Sequence, residues 1–280
     1  MRAMNASDLY TAQVAAVNAQ RARVLGESPG DDLWGGPLAQ RFRVDPRRQL
    51  GSTESAIASY VEPEDVVLDV GGGAGRIALP LALHCREVVI VDPSPGMRAQ
   101  FEAAATEAGI ANARFIQSDW LEAEGVQGDV AISVHVVYFI RDIVPFIRKL
   151  NDSARRRVVI SIRSQPPPNR FAEHFRLVYG EPMELLPSYR ELLPVLWEMG
   201  ILPEVRVLPS DMGGAAQTQE DAVRRALNGI WIRPEDQERA RPILESHFNE
   251  LYVSTPSGFD IRDGLNARDL VITWETGDSA

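Results

Sequence analysis

The chain has 280 residues, 45% of them hydrophobic and 24% charged, with a formal net charge of −10 and a pI near 5.0. That length and apolar content supply a core for one large domain, while the acidic balance argues against a protein that coats nucleic-acid phosphate, a task for Lys and Arg. Cys85 is the single cysteine, so no intrachain disulfide and no cysteine metal cluster can form, which is consistent with a reducing compartment.

In chain order, residues 6–25 carry Leu9, Val14, Val17, Val24 and Leu25 on helical spacing, with Ser7 or Asp8 as cap. The N-terminus lacks the apolar centre of a signal peptide, and no segment reaches the length of a membrane span. The expected location is the cytoplasm. Gly26 to Gly36 reads as a loop, with Trp34 inside it as a core plug or a pocket wall. Leu50 to Val61 reads as a helix, and Glu62-Pro63-Glu64 breaks the chain after it.

The organising stretch is Val66-Val67-Leu68-Asp69-Val70-Gly71-Gly72-Gly73-Ala74-Gly75-Arg76-Ile77-Ala78. Its apolar run suits a parallel strand buried on both faces. Glycine tolerates positive φ and close approach to the backbone, so four glycines in a short turn before a helix predict a ligand at freed N–H groups. Asp69, Gly71, Gly73 and Gly75 spell D-x-G-x-G-x-G. Gly73, Gly75 and Ala78 also fit the dinucleotide pattern G-x-G-x-x-A.

Val88 to Val91 forms the second strand and ends at Asp92, about 20 residues past the glycine turn, where an acid can accept from both ribose hydroxyls. Met97 to Ala108 is a helix with Gly109 as its end signal. Ala113 to Gln117 is the third strand, followed by Ser118-Asp119-Trp120. Asp129 to Val134 is the fourth strand, leading into His135-Val136-Val137-Tyr138-Phe139-Ile140. Ile143 to Leu150 is a helix. Arg155-Arg156-Arg157 reads as a solvated turn before the fifth strand, Val158 to Ile162. This alternation predicts an α/β fold with a doubly wound, mainly parallel sheet and helices on both faces. Ligands in such sheets bind beyond the carboxyl ends of the strands. The glycine turn, Asp92, Asp119 and His135 all follow strand ends.

Beyond the fifth strand, Gln165 to Pro168 reads as an extended linker. Phe171, Phe175, Val178 and Tyr179 form a short apolar stripe that carries His174. Ser188 to Met199 is an amphipathic helix, Pro203 to Leu208 a sixth strand, residues 217–252 two helices parted near Pro234, and Asp269 to Trp274 a last strand.

With these residues placed, the chain resembles the class I S-adenosylmethionine-dependent methyltransferases, over about residues 50–165. The resemblance implies S-adenosyl-L-methionine as cofactor. It implies a seven-stranded Rossmann-like sheet whose last strand, Asp269–Trp274, runs antiparallel. Asp69, Gly71, Gly73 and Gly75 match the first motif, Asp92 the ribose acid, and Asp119 the adenine-amino partner. Trp120 is expected close to the adenine ring and Met97 packed on it. Ser133 to Phe139, His135 included, faces the methionine end. Asp69 either orients the glycine loop or contacts the methionine amino group, and Arg41 or Trp34 is a weaker candidate for its carboxylate.

The expected domains are an N-terminal helical cap segment, 1–50, and a Rossmann-like domain, 51–280, with a lid or substrate insertion at about 165–190. The expected acceptor is an O or N nucleophile of a small molecule, with no nucleic acid or membrane as partner and no metal; the chain is a monomer or homodimer. The motif has no Asn-Pro-Pro-Tyr type sequence at the fourth strand, which disfavours adenine- or glutamine-type acceptors. His135 is the candidate base, since an ordinary imidazole titrates near neutrality. Tyr138 and His174 are candidate substrate contacts; His84 and His247 are read as structural. Two other readings compete: a nicotinamide-dependent oxidoreductase and a non-catalytic nucleotide-binding scaffold. The oxidoreductase is disfavoured because Lys149, the only lysine, has no tyrosine four residues before it.

Overall fold

A seven-stranded sheet runs through the chain, ordered in space as the strands that begin at Ala113, Glu87, Val66, Gly128, Ala154, Asp269 and Glu204. The structure, a computed structural model, describes residues 4–26, 34, 39–209, 215–229 and 231–277. The strands are β1 (Val66–Val70), β2 (Glu87–Asp92), β3 (Ala113–Gln117), β4 (Gly128–Val134), β5 (Ala154–Arg163), β6 (Glu204–Val207) and β9 (Asp269–Glu275). β1 to β5 pair parallel, and β9 lies antiparallel between β5 and β6. The antiparallel last strand is therefore inserted in the sheet, not at its edge. A separate hairpin, β7 (Tyr252–Thr255) and β8 (Gly258–Ile261), which the sequence reading did not include, follows the helices expected over 217–252.

The helices are α1 (Ala6–Leu25), α2 (Ser52–Ala58), α3 (Ala78–Ala82), α4 (Pro95–Ala108), α5 (Ile143–Ser153), α6 (Ala172–Tyr179), α7 (Tyr189–Glu198), α8 (Gln219–Gly229), α9 (Gln237–Ser246) and α10 (Phe248–Leu251). All five β1 residues are buried, as a strand covered on both faces requires. One face packs Leu68, Val89, Ala131 and Ile160 under α1, α5 and α7. The other packs Val67, Ile90, Ile132 and Val159 under α2, α3 and α4. A third core joins α6, α8, α9, α10 and the hairpin.

Local chemistry sets the element ends. Asn5, not Ser7 or Asp8, caps α1: its Oδ1 accepts from the Asp8 N–H at 2.7 Å. α4 starts at Pro95 rather than Met97, because Ser94 accepts from the Met97 N–H and proline loses nothing in a first turn. It ends at Gly109 with φ 65°. α7 opens on a capping box between Ser188 and Glu191.

Two expectations fail here. Arg155, Arg156 and Arg157 lie inside β5, not in a turn, because each guanidinium meets a carboxylate: Asp129, Asp65 and Glu275. Gln165 to Pro168 is not an extended linker, since Pro167–Phe171 coils into a 3-10 turn that starts with Asn169 N–H donating to the Pro166 carbonyl at 2.9 Å. The loop expected over Gly26–Gly36 lies, apart from Gly26 and Trp34, outside the described residues.

Candidate active site

The rim at the carboxyl ends of β1, β2, β3 and β4 gathers the predicted cofactor residues. β2 and β3 pair in register, with Asp92 opposite Gln117, so Asp92 and Asp119 stand at neighbouring strand ends. Asp92 is 9% exposed. Its Oδ2 accepts from Gly73 N–H at 3.0 Å and its Oδ1 from Ser94 N–H at 2.9 Å. One carboxylate thus fastens the glycine bend to the start of α4.

Gly71, Gly73 and Gly75 adopt φ of 74°, 53° and 80°. Their reasons differ. A Cβ on Gly71 would stand 2.4 Å from a Val136 methyl, and one on Gly75 would stand 2.8 Å from Leu79 and 2.9 Å from Phe101. The close approach expected of a ligand is, at these two positions, an approach of the protein's own side chains. Gly73 is different: the atoms nearest a Cβ there all belong to the buried Met97 side chain, the sulfur at 3.4 Å, which is ordinary van der Waals contact.

Asp69 lies under this bend, 1% exposed, and its Oδ2 finds no hydrogen-bond partner among the described residues. Burial, then the Asp92 charge, pushes its carboxyl up to about 7. Of the two roles open to Asp69 in the sequence, the observed loop-binding carboxylate is Asp92.

Asp119 is exposed, and its Oδ1 accepts from Leu121 N–H at 2.8 Å. Trp120 is spent elsewhere. Its ring is buried, its indole N–H donates to the Phe146 carbonyl at 3.3 Å, and Lys149 Nζ sits 4.7 Å over it. Lys149 also donates to the carbonyls of Trp120, Leu121 and Ala123, so the only lysine ties down this turn.

Past β4, the chain turns at His135, the one described non-glycine residue with positive φ, at 60°. Its N–H donates to the Ser161 carbonyl at 2.9 Å. Its Nδ1 lies 3.0 Å from the Tyr138 hydroxyl, which itself accepts from the Arg163 N–H. The Tyr138 proton is then free to donate to Nδ1, which leaves the His135 proton on Nε2. Burial holds His135 down to about 4, with Asp269 opposing and Arg76 and Arg163 reinforcing. The imidazole is neutral at pH 7 and presents Nε2–H as a donor. The α1 helix steadies this turn: the Tyr10 hydroxyl donates to the Val137 carbonyl at 2.7 Å. Trp34 stands edge-on to Phe42 and Phe139, and Arg41 is exposed.

Four charged groups around His135, namely Asp269, Arg76, Arg163 and Glu54, were not singled out in the sequence. Arg163 Nε donates to Asp269 Oδ1 at 3.0 Å, and Thr53 Oγ donates to Asp269 Oδ2 at 3.3 Å. Arg76 and Arg48 share one Glu54 oxygen, at 2.8 and 3.0 Å. No local pattern marks them, because Arg163 and Asp269 are 106 residues apart in sequence.

His174 is buried between Phe171 and Tyr252. His84 is exposed, and His247 Nδ1 pairs with the Ile243 carbonyl. Among the described residues no group of His, Cys, Asp and Glu is arranged to hold a metal, and no helix is long and apolar enough to cross a membrane.

Residues 67–156 match the model of the family described as "Methyltransferase domain". A ubiquinone biosynthesis O-methyltransferase of Azorhizobium caulinodans is 29% identical over 112 residues, covering 40% of this chain and 43% of that protein. A 23S rRNA (uracil(1939)-C(5))-methyltransferase of Aeromonas salmonicida is 36% identical over 96 residues, covering 34% and 20%. The chain thus spans less than half the length of these curated relatives. Among solved structures, a methyltransferase of Thiobacillus denitrificans in complex with S-adenosyl-L-homocysteine superimposes with a TM-score of 0.51 at 15% identity, covering 85% of this chain and 98% of that one. The YcgJ protein of Bacillus subtilis gives 0.53 at 16%, covering 80% and 97%. These two likenesses are in fold.

Proposed function

From the premise that this chain is built on a class I S-adenosylmethionine-dependent methyltransferase domain, we propose that it moves a methyl group to an O or N nucleophile of a small molecule. The observation that carries this is the junction at Asp92. A buried carboxylate binds the Gly73 N–H and the Ser94 N–H at once, and the apolar Met97 side chain lies beside the bend it fastens.

These residues fit the cofactor. Asp92 places a buried carboxylate at the β2 end, Met97 offers an apolar side chain beside Gly73, and exposed Asp119 offers an acceptor at the next strand end. When bound, the cofactor supplies a methyl group already activated by its sulfonium charge. The protein's share is then positioning and exclusion of water. Arg76 and Arg163, each already paired with one carboxylate, flank the His135 turn where a carboxylate tail or an acceptor is held.

His135 works here as a donor and orienting group rather than as a base in its resting state. Its Nδ1 is engaged by Tyr138 and its Nε2 carries the proton. A base role requires Tyr138 to release Nδ1. In-line displacement on an acceptor that is nucleophilic at neutral pH does not need that release.

The relatives pull in two directions. The O-methyltransferase relative supports a small acceptor. The rRNA methyltransferase relatives favour a second reading, an RNA acceptor. The net charge of −10 supports the first, since phosphate contacts need an excess of Lys and Arg. The segments 1–50 and about 165–190 are proposed to close over the acceptor, and a reducing cytoplasm fits the lone buried Cys85.

The test uses S-adenosylmethionine carrying a labelled methyl group, offered with a library of phenols, amines and carboxylic acids and, in parallel, with total RNA. The proposal expects label in a small molecule. Label in RNA alone, or hydride transfer to or from a nicotinamide cofactor, would overturn it.

A further inference from the structure

Just past the rim, the chain places two polar groups where its own fold leaves them unanswered. Arg170 lies with its guanidinium 4.8 Å over the Phe171 ring. Its Nε is buried and has no acceptor among the described residues. Its stem runs past Gly264, where a Cβ would come within 3.7 Å of it. One helical turn on, His174 is 1% exposed, and neither ring nitrogen has a partner among the described residues. The edges of Phe171 and Tyr252 face it at 5.4 and 5.3 Å.

A neutral imidazole has one N–H and one lone pair, and each buried unsatisfied polar group costs about 1–3 kcal/mol. A phenylalanine at 174 would suit this aromatic cluster at no such cost. Buried orphan groups in folded proteins call for a water, an ion or a ligand.

Arg170 lies close enough to Arg163 and Arg225 to feel their repulsion, with Asp260 as the carboxylate that opposes it. Arg163 takes Asp269 and Arg225 takes Asp221. Asp260 is itself approached by the Thr255 hydroxyl at 3.3 Å. Guanidinium is the group suited to holding a carboxylate through its N–H fork.

We propose that Arg170 and His174 form an anion-recognition end of the acceptor pocket, so that the methyl acceptor is a small molecule bearing a carboxylate. The carboxylate accepts from Arg170 Nε–H and from an N–H of His174, while the reacting O or N lies toward His135 and Arg163. This rests on the methyltransferase reading above.

The test is a panel of hydroxybenzoic and aminobenzoic acids, each beside its methyl ester, run with S-adenosylmethionine on the full chain. Arg170→Gln, Arg170→Lys and His174→Phe are measured in parallel. In the unaltered protein kcat/KM for acids exceeds that for their esters by about tenfold or more, the size of one charge-assisted hydrogen bond. Arg170→Gln abolishes that preference through KM, Arg170→Lys keeps part of it, and His174→Phe lowers acid turnover several-fold. Titration with S-adenosylhomocysteine gives the same affinity for all four proteins, which also shows that each is folded. No accepted acid, an equal use of acids and esters, or an acid preference that survives Arg170→Gln overturns the inference. If the unaltered protein fails to bind S-adenosylhomocysteine, the methyltransferase reading itself falls.

Discussion

The two halves of the rim are built on different scales of sequence. At the ends of β1 to β3, the parts are local. Asp92 reaches Gly73 across 19 residues, and Ser94 caps the helix that carries Met97 three residues on. At the ends of β4, β5 and β9, the partners are distant. Arg163 meets Asp269 across 106 residues, and Thr53 meets it across 216. A short-range constellation leaves a spacing that can be read. A long-range one is written only in the topology, here in the insertion of β9 beside β5.

Substitutions break this comparison in a definite order. Gly75→Ala has the largest expected effect. It forces a left-handed φ on a Cβ that would also overlap Leu79 and Phe101. Strain and overpacking together give a loss of about 2–5 kcal/mol. Gly109→Ala has the strain without the overlap, because nothing lies within 4 Å of that Cβ, and loses about 1–2 kcal/mol. Chemical denaturation of both variants checks the gap.

Next in size, Asp92→Ala removes the acceptor of two backbone N–H groups. S-adenosylhomocysteine affinity is expected to fall about 100-fold or more, since hydrogen bonds to a charged group contribute about 1.5–3 kcal/mol each. On the other half of the rim, Asp269→Asn loosens Arg163. It is expected to leave S-adenosylhomocysteine affinity within about threefold and to act on acceptor KM. Equal loss of cofactor affinity in both variants would erase the distinction between the halves.

The buried acids and imidazoles give opposite slopes with pH. His174 is held down to about 4 by burial and Arg170. Between about 4 and its ordinary 6.5, the unfolded chain binds the proton and the folded one does not, so this group's contribution rises with pH. Asp69 is pushed up to about 7. From its ordinary value near 4 up to 7, the folded chain binds the extra proton, so this contribution falls as pH rises. As pH rises from 4 to 7, Asp69→Asn should therefore gain stability relative to the unaltered protein, whereas His174→Phe, which escapes the low-pH penalty, should hold its largest advantage at pH 4.5 and lose it toward pH 7. Thermal unfolding at pH 4.5, 5.5 and 7 reads both signs.

The smallest expected effect is that of Tyr138→Phe. It frees the Nδ1 of His135 and removes the hydroxyl that accepts from Arg163. Turnover should fall a few-fold, about 1 kcal/mol, with cofactor affinity unchanged. A rise in turnover, with a new pH dependence, would restore His135 as a base.

Much of the fold was legible in the sequence because β1, β2 and β4 are apolar runs and each ends in a marked residue. The count of seven strands and the antiparallel last strand, Asp269–Glu275, agree with what the family resemblance implied, not with anything the apolar runs alone could give. The hairpin Tyr252–Ile261 was not legible, since its strands are short and carry little alternation. Arg155 to Arg157 misled because charge suggests solvent, while three carboxylates from other segments neutralise the run within a strand. Trp120 misled for a related reason: its place in the chain is beside the rim, but Phe146 and Lys149, both on α5, draw its ring into the core.

The central claim is that the glycine bend and Asp92 hold S-adenosylmethionine. Isothermal titration of the unaltered chain and of Asp92→Ala, with S-adenosylhomocysteine and separately with NAD, tests it most directly. The account predicts one-to-one binding of S-adenosylhomocysteine, lost in Asp92→Ala, and no heat from NAD. Binding of NAD in place of S-adenosylhomocysteine, or affinity untouched by Asp92→Ala, would contradict it.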